Sequence, residues 1–251
     1  MRTAFLPSAG LGKRLRPMTA RIPKPLLPVA GEPIIHHVMR HCARAGVERF
    51  IINTSHLPEA FEVAFPDHEW NGFPLEFVHE PIRLETGAGL KNIEPLLDPS
   101  ESVLIYNSDI LTDLPLDHLL QKHEESGRPL VTLASSLAGK DLHLLTDGNG
   151  RLLKVDRSEK GDTEGRHQFL GISVIEPGFL RYLQKDSPES LIHGWTRALE
   201  EDRESVRVCE ITEGRWQDVG TLNAYESVRE SGLNHEALSL SNPAGTASEN
   251  L

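Results

Sequence analysis

Cysteine is scarce in this chain: Cys42 and Cys209 are the two in 251 residues. That density argues against a disulfide framework, and neither residue has a neighbour at metal-ligand spacing. Cys42 falls on the apolar face of an expected helix and reads as a buried free thiol. Long hydrophobic runs are missing as well. No stretch of about 18 apolar residues occurs, so no transmembrane helix is expected. The opening MRTAFLP carries a cation, but its apolar run is too short for a signal-peptide core, and a cytoplasmic location is the expectation. Positive charge is in deficit, 26 Lys plus Arg against 37 Asp plus Glu for a net charge of −11. This balance opposes general nucleic-acid binding and attraction to anionic membranes. Metal-binding patterns are absent among the histidines too. His36, His37, His41 and His56 lack ligand spacing, and His37 and His41 read as surface or capping groups on a helix whose other face feeds the core.

What is present fits a globular protein: 38% hydrophobic and 25% charged residues, in a chain long enough for one large α/β domain or two small ones. Apolar runs at Ala4–Leu6, Phe50–Ile52, residues 74–79, Val103–Tyr106 and residues 130–134 read as strands. They alternate with helices over residues 33–45, 58–65, 86–97 and 117–126, the last capped by Asp117. Strand–helix alternation predicts a Rossmann-like three-layer sandwich, with a mostly parallel central sheet and helices on both faces. Beyond residue 138 the texture changes. Asp147-Gly148-Asn149-Gly150 between two Leu-Leu pairs predicts a hairpin, and residues 157–167 read as a charged, mobile loop. Gly171–Ile175 and Val206–Cys209 read as strands, with helices over residues 177–183, 188–201 and 222–230. One domain is expected over residues 1–233, with a flexible tail over 234–251.

The densest local signal is the stretch Ala4 to Val29. After the first strand come Gly10 and Gly12, then Lys13, Arg14, Arg16 and Pro17. Glycines let backbone N–H groups approach an anion, and clustered cations add point charge; Arg offers a fork for phosphate oxygens. Lys24 follows between Pro23 and Pro25, which are expected to hold it in an extended segment. In an acidic chain this is a polyphosphate site in prospect. It is neither of the common phosphate loops: the third glycine of the dinucleotide fingerprint is absent, and so is G-x-x-x-x-G-K-[ST]. Asn107-Ser108-Asp109 ends the most apolar strand, where open α/β sheets bind ligands. Asp113 reads as a solvated loop acid.

The pattern Gly10-x-Gly12-x-Arg14-Leu15-x-Pro17-x-Thr19, followed by Pro23-Lys24-Pro25-Leu26, resembles the signature of sugar-phosphate nucleotidyltransferases. The resemblance runs from Arg2 to about Glu230. Leu84-Glu85-Thr86-Gly87-Ala88-Gly89 is similar to a segment of short bacterial N-acetylmuramate 1-phosphate uridylyltransferases. Several expectations follow from it. Mg2+ is held by Asp109 and by Asp218 in Trp216-Gln217-Asp218-Val219-Gly220-Thr221. Arg14 and Lys24 act on the triphosphate, which Ala9, Gly10, Gly12 and Lys13 help to bind. Glu85, Thr86, Gly87 and Asn107 lie against substrate, Thr86 also capping a helix, and Gly171 lies against the sugar. Glu80 stands where relatives carry a base-reading Gln. As a carboxylate it would accept from the imino N–H of uracil, thymine or guanine and repel cytosine and adenine. The partners implied are a nucleoside triphosphate, UTP favoured, and a sugar 1-phosphate, for a monomer or homodimer. Two departures from the family pattern put the sugar in doubt. Arg157-Ser158-Glu159 replaces a Glu-Lys-Pro, and Phe169 stands where many amino-sugar enzymes carry Asn. A cytidylyltransferase of phosphocholine or a similar phosphate, and a non-catalytic NDP-sugar-binding paralogue, remain as alternatives.

Overall fold

The computed structural model describes residues 1–137, 142–156, 165–185 and 187–231. Arg157, Ser158, Glu159 and the proposed tail 234–251 lie outside the described residues. The main sheet contains β1 (Thr3–Pro7), β2 (Arg49–Thr54), β3 (Phe73–His79), β4 (Val103–Tyr106), β5 (Val131–Ser136), β6 (Leu142–Thr146), β7 (Leu152–Val155), β8 (Arg166–Ile175) and β9 (Val206–Glu210). Its order is β7-β6-β8-β4-β1-β2-β3, continued at the edge by the two-residue strand Glu69–Trp70 on β3, with β5 also on β8 and β9 on β5. β1 pairs in parallel with β2 and β4, as β2 does with β3. β8 runs antiparallel to β4, β5 and β6. The expected doubly wound sheet is therefore present, with a mixed second half built around one long strand.

Six helices complete the described layers: α1 (Ile34–Arg44), α2 (Glu59–Ala64), α3 (Glu85–Asn92), α4 (Leu116–Glu125), α5 (Leu191–Glu201) and α6 (Leu222–Ser231). None of the helices in the described residues is long and apolar enough to cross a membrane. Side chains alternate across a strand, so β1 feeds both faces of the sheet. Ala4 and Leu6 join Ile35, Val38, Met39 and Cys42 of α1, while Phe5 joins Leu90 of α3 and Trp195 of α5. Burial on both faces is why β1, β2 and β4 read as unbroken apolar runs. A third, smaller core of Leu15, Leu27, Val29, Ile34, Leu111, Val219, Tyr225 and Val228 pins the basic loop beneath α6. Both cysteines are free and buried, and desolvation pushes Cys209 up to about 11.

Several local expectations need correction. Pro33 is extended, so Glu32–Pro33 pairs with Pro28–Val29 as a short ribbon and α1 starts at Ile34. Asp117 and Thr86 cap nothing: they sit inside the first turns of α4 and α3, whose N-cap positions are Pro115 and Leu84. Ser190 does cap α5, accepting from the Ile192 amide. Lys24–Leu26 is a single 3-10 turn rather than an extended segment. His37 and His41 are interior groups. His37 bonds Val29 O at 3.0 Å, and His41 lies between Tyr106 Oη and Leu114 O, its pKa lowered to about 4 by burial. The predicted hairpin is formed by β6 and β7, with Asp147 Oδ1 accepting from the amides of Asn149 and Arg151. Arg166 and His167, assigned to a loop from sequence, belong to β8.

Candidate active site

The carboxyl ends of β1, β2 and β4 open onto one cleft of about 300 Å3, lined by Pro7, Ala9, Gly10, Asn53, Arg83, Glu85, Thr86, Asn107, Asp109 and Ser190. An open α/β sheet offers such a crevice where neighbouring strands lead their connections away to opposite faces. Six residues named from the sequence lie here together: Ala9, Gly10, Glu85, Thr86, Asn107 and, at the metal position, Asp109.

The basic loop folds back on itself beside this cleft. Gly12 sits at φ 56°, and its carbonyl accepts from Leu15 N and Thr19 Oγ1, both at 2.8 Å. A Cβ on Gly12 would lie 2.8 Å from Thr19 Cγ2, so both conformation and space require glycine. Leu15 is drawn into the third core, and Lys13, Arg14 and Arg16 are thereby left exposed. Arg14 turns toward Gly220, whose added Cβ would fall 2.7 Å from Arg14 Nη2 and 2.7 Å from Asp218 Oδ1.

Asp109 and Asp218, separated by most of the second half of the chain, are joined by a two-stranded ribbon. Ile110–Thr112 pairs antiparallel with Trp216–Asp218, and Val219 N donates to Asp109 O at 2.9 Å. The ribbon is anchored by Asp113, an exposed loop acid as expected, through its ion pair with Arg215. Burial alone would raise its pKa, but bonds from the Arg215 amide and guanidinium hold it below the usual carboxylate range. The Lys24 ammonium ion-pairs with Asp109 and lies 3.9 Å from Asp218 Oδ1. Asp218 Oδ1 is buried with no hydrogen-bond partner. Desolvation, then the facing Asp109, raises the Asp218 pKa against the opposing pull of Lys24 and Arg14.

An orphaned carboxylate oxygen beside a second carboxylate is a fitting half-site for a hard divalent cation. Magnesium takes one or two carboxylates and completes its shell with phosphate oxygens and water. Among the described residues no group of three or more His, Cys, Asp or Glu gathers to hold an ion. The two aspartates therefore fit a metal shared with a phosphate-bearing substrate better than a resident structural ion. Gly220 bears directly on this arrangement. Gly220→Ala should leave the fold and melting temperature near wild type, because the clash falls on the side-chain ends of Arg14 and Asp218 and not on backbone. Turnover should nevertheless drop by about tenfold or more through displacement of Arg14 and Asp218, since small misplacements at reacting centres are costly. Unchanged kcat in steady-state assays would refute the packing of Arg14 over Gly220.

Three residues named from the sequence do not face the cleft as expected. Glu80 is 1% exposed, and its carboxylate accepts from Asn53 Nδ2 at 2.7 Å and from Leu84 N at 3.1 Å. It lies behind the cleft wall rather than at a base edge. Gly87 packs on protein: its N–H bonds Glu189 O at 2.8 Å, and a Cβ there would meet the same carbonyl at 2.7 Å. Gly171, at φ 78°, accommodates the Asn107 side chain, its O accepting from Asn107 N at 2.9 Å. Ser108 is buried and donates to Pro7 O. Asn53, Arg83 and Ser190 were missed. Asn53 carried the signal that singled out Asn107, a polar residue at the carboxyl end of an apolar strand. Arg83 and Ser190 carried none.

Residues 4–141 match a family model described as nucleotidyl transferase. The chain is 30% identical over 222 residues to the N-acetylmuramate α-1-phosphate uridylyltransferase of Neisseria meningitidis serogroup B, covering 87% of this chain and 93% of that protein. It is 40% identical over 124 residues to the mannose-1-phosphate guanylyltransferase of Mycobacterium tuberculosis, covering 49% of this chain and 34% of that protein. Over four curated mannose-1-phosphate guanylyltransferases and guanyltransferases, the match spans between 34% and 61% of their length. Among solved structures, a UDP-glucose pyrophosphorylase from Acinetobacter baumannii superposes with a TM-score of 0.75 at 18% identity, covering 95% of each chain. The inositol-1-phosphate CTP transferase of T. maritima gives 0.73 at 20% identity, again over 95% of each chain. These likenesses establish the fold.

Proposed function

Because the chain belongs to the nucleotidyl transferase family, we propose that it transfers a nucleotidyl group from a nucleoside triphosphate to a sugar 1-phosphate, releasing pyrophosphate. The observation that carries this reading is the meeting of Lys24, Asp109, Asp218 and Arg14 at the carboxyl end of the parallel strands. A phosphate oxygen of the sugar 1-phosphate attacks the α-phosphorus in line. That oxygen is already anionic, so no general base is needed, and catalysis is positioning plus charge neutralisation. Mg2+ is the cation we assign to Asp109 and Asp218; when bound it would supply positive charge to offset that of the phosphate oxygens. Arg14 holds the departing β,γ-phosphates, and Lys24 is placed to serve the α-phosphate while keeping the two carboxylates together. Ala9, Gly10, Asn53, Arg83, Glu85 and Thr86 line the cleft for the nucleoside, and Asn107 lies at its border with Gly171.

UTP is the triphosphate we favour, on the relative covered over most of its length, which is named a uridylyltransferase. GTP is the second reading, because several relatives are named guanylyltransferases. The carboxylate argument against CTP and ATP loses its basis with Glu80 behind the wall, leaving backbone groups of Ala9 and Gly10 to read the base. One grid decides: five triphosphates against N-acetylmuramate, mannose and glucose 1-phosphates, plus phosphocholine, scored by pyrophosphate release in Mg2+. Turnover of UTP with a sugar 1-phosphate is expected. CTP with phosphocholine would move the chain to the cytidylyl class, and silence across the grid would leave a non-catalytic paralogue.

A further inference from the structure

Two segments line the cleft. One is the loop after β1, which presents Ala9 and Gly10; the other follows β3 and presents Arg83 and, from the first turn of α3, Glu85 and Thr86. A buried chain of hydrogen bonds connects them. Ser8 N donates to Asn53 Oδ1 at 2.6 Å, Asn53 Nδ2 donates to Glu80 Oε1 at 2.7 Å, and Leu84 N donates to Glu80 Oε2 at 3.1 Å. Ser8, Asn53 and Glu80 are 5%, 2% and 1% exposed. A Cβ on Gly89 would lie 2.8 Å from Glu80 Oε1 and 2.9 Å from Asn53 Nδ2, so this glycine makes the room for the pair.

We infer that Glu80 and Asn53 brace the two walls of the nucleotide cleft, with Glu80 a positioning residue that acts through Asn53. The inference rests on the nucleotidyl-transfer reading for the identity of the ligand. Its logic is one of donors and acceptors. Glu80 can only accept, and it faces two donors. Asn53 must therefore turn its amide nitrogen toward Glu80, which leaves its oxygen for the Ser8 N–H. The whole chain has one polarity, set by the carboxylate. E80Q breaks it whichever way the new amide turns, because one of its ends would donate toward a donor. N53D breaks it by facing carboxylate to carboxylate. Exchanging both restores every bond, with the central one reversed. The amide introduced by E80Q accepts from Leu84 N and donates to the carboxylate introduced by N53D, whose other oxygen accepts from Ser8 N.

The test is calorimetric titration of wild type, E80Q, N53D and the E80Q/N53D double variant with UTP and with GTP, without sugar phosphate. Amide exchange at Ser8 and Leu84 is followed in parallel. E80Q should weaken both nucleotides by about tenfold, the size expected for one buried donor left unpaired, with their ratio unchanged. Exchange at Ser8 or Leu84 should speed up in each single variant. The double variant should bind more tightly than either single one and slow the exchange again, which a mere loss of folding stability at Glu80 would not do. Wild-type affinity in E80Q overturns the brace, as does a double variant no better than the weaker single one. A changed UTP-to-GTP ratio in E80Q overturns it in favour of direct base reading. Wild-type protein that binds neither nucleotide overturns the nucleotidyl-transfer reading instead, and the exchange pattern then decides the brace alone.

Discussion

Asp109→Asn and Asp218→Asn are each expected to lower pyrophosphate release by roughly 10²-fold or more while leaving the fold intact, the scale for losing one preorganised electrostatic group. The two side chains differ in surroundings but converge in effect. Asp109 is tied to Lys24, so its replacement frees a cation as well as removing a ligand charge. Asp218 holds a buried oxygen without a partner, so its replacement puts an amide into a space suited to a cation. Neither is a core side chain, and partly exposed ion pairs contribute little to stability. The melting temperature should therefore stay within a few degrees of wild type. Binding of Mn2+ in the presence of the triphosphate, read by electron paramagnetic resonance, should weaken in both variants. Near-normal turnover in either one would break the pairing of the two aspartates.

That pairing shows where the sequence was legible. Alternating apolar runs placed β1, β2 and β4, because strands buried on both faces leave a continuous signature. The glycine and cation spacing of residues 10–24 marked the loop, because Gly12 must adopt φ 56° and the cations must stay exposed. The Ile110–Thr112 ribbon left no such signature. It is three residues long, and its partner lies about a hundred residues away. The first half of β8 was hidden for a similar reason: it opens on polar Arg166, His167 and Gln168, yet all three are buried between neighbours. Glu80 looked like a ligand contact because it stands where relatives carry a base-reading Gln. Its actual cause is two donors inside the wall, which only the fold brings within reach. Glycines misled in the same way, since Gly87 and Gly171 make room for protein groups as Gly12 does.

Arg14→Ala and Lys24→Ala should damage the chemical step more than substrate affinity, each by about 10²-fold in kcat. Charge accumulates on the departing pyrophosphate as the bond to the α-phosphorus stretches. Arg14 is exposed and turned toward Gly220 and Asp218, so it is free to meet that charge. Its planar fork suits two phosphate oxygens at once, and Arg14→Lys should recover only part of the loss. Lys24 differs because it is already engaged. Its side chain is 11% exposed, and it stands between Asp109 and Asp218. Removing it takes away the cation between the two carboxylates and leaves only Arg14 near Asp218, so metal should bind at least as tightly in Lys24→Ala even as turnover falls. The two variants thus separate by metal affinity while agreeing in kcat. Single-turnover measurements at saturating triphosphate and sugar phosphate would read the chemical step directly. A raised KM with kcat unchanged would reduce both residues to ground-state binders, and weaker Mn2+ binding in Lys24→Ala would show that the lysine does not oppose the metal charge.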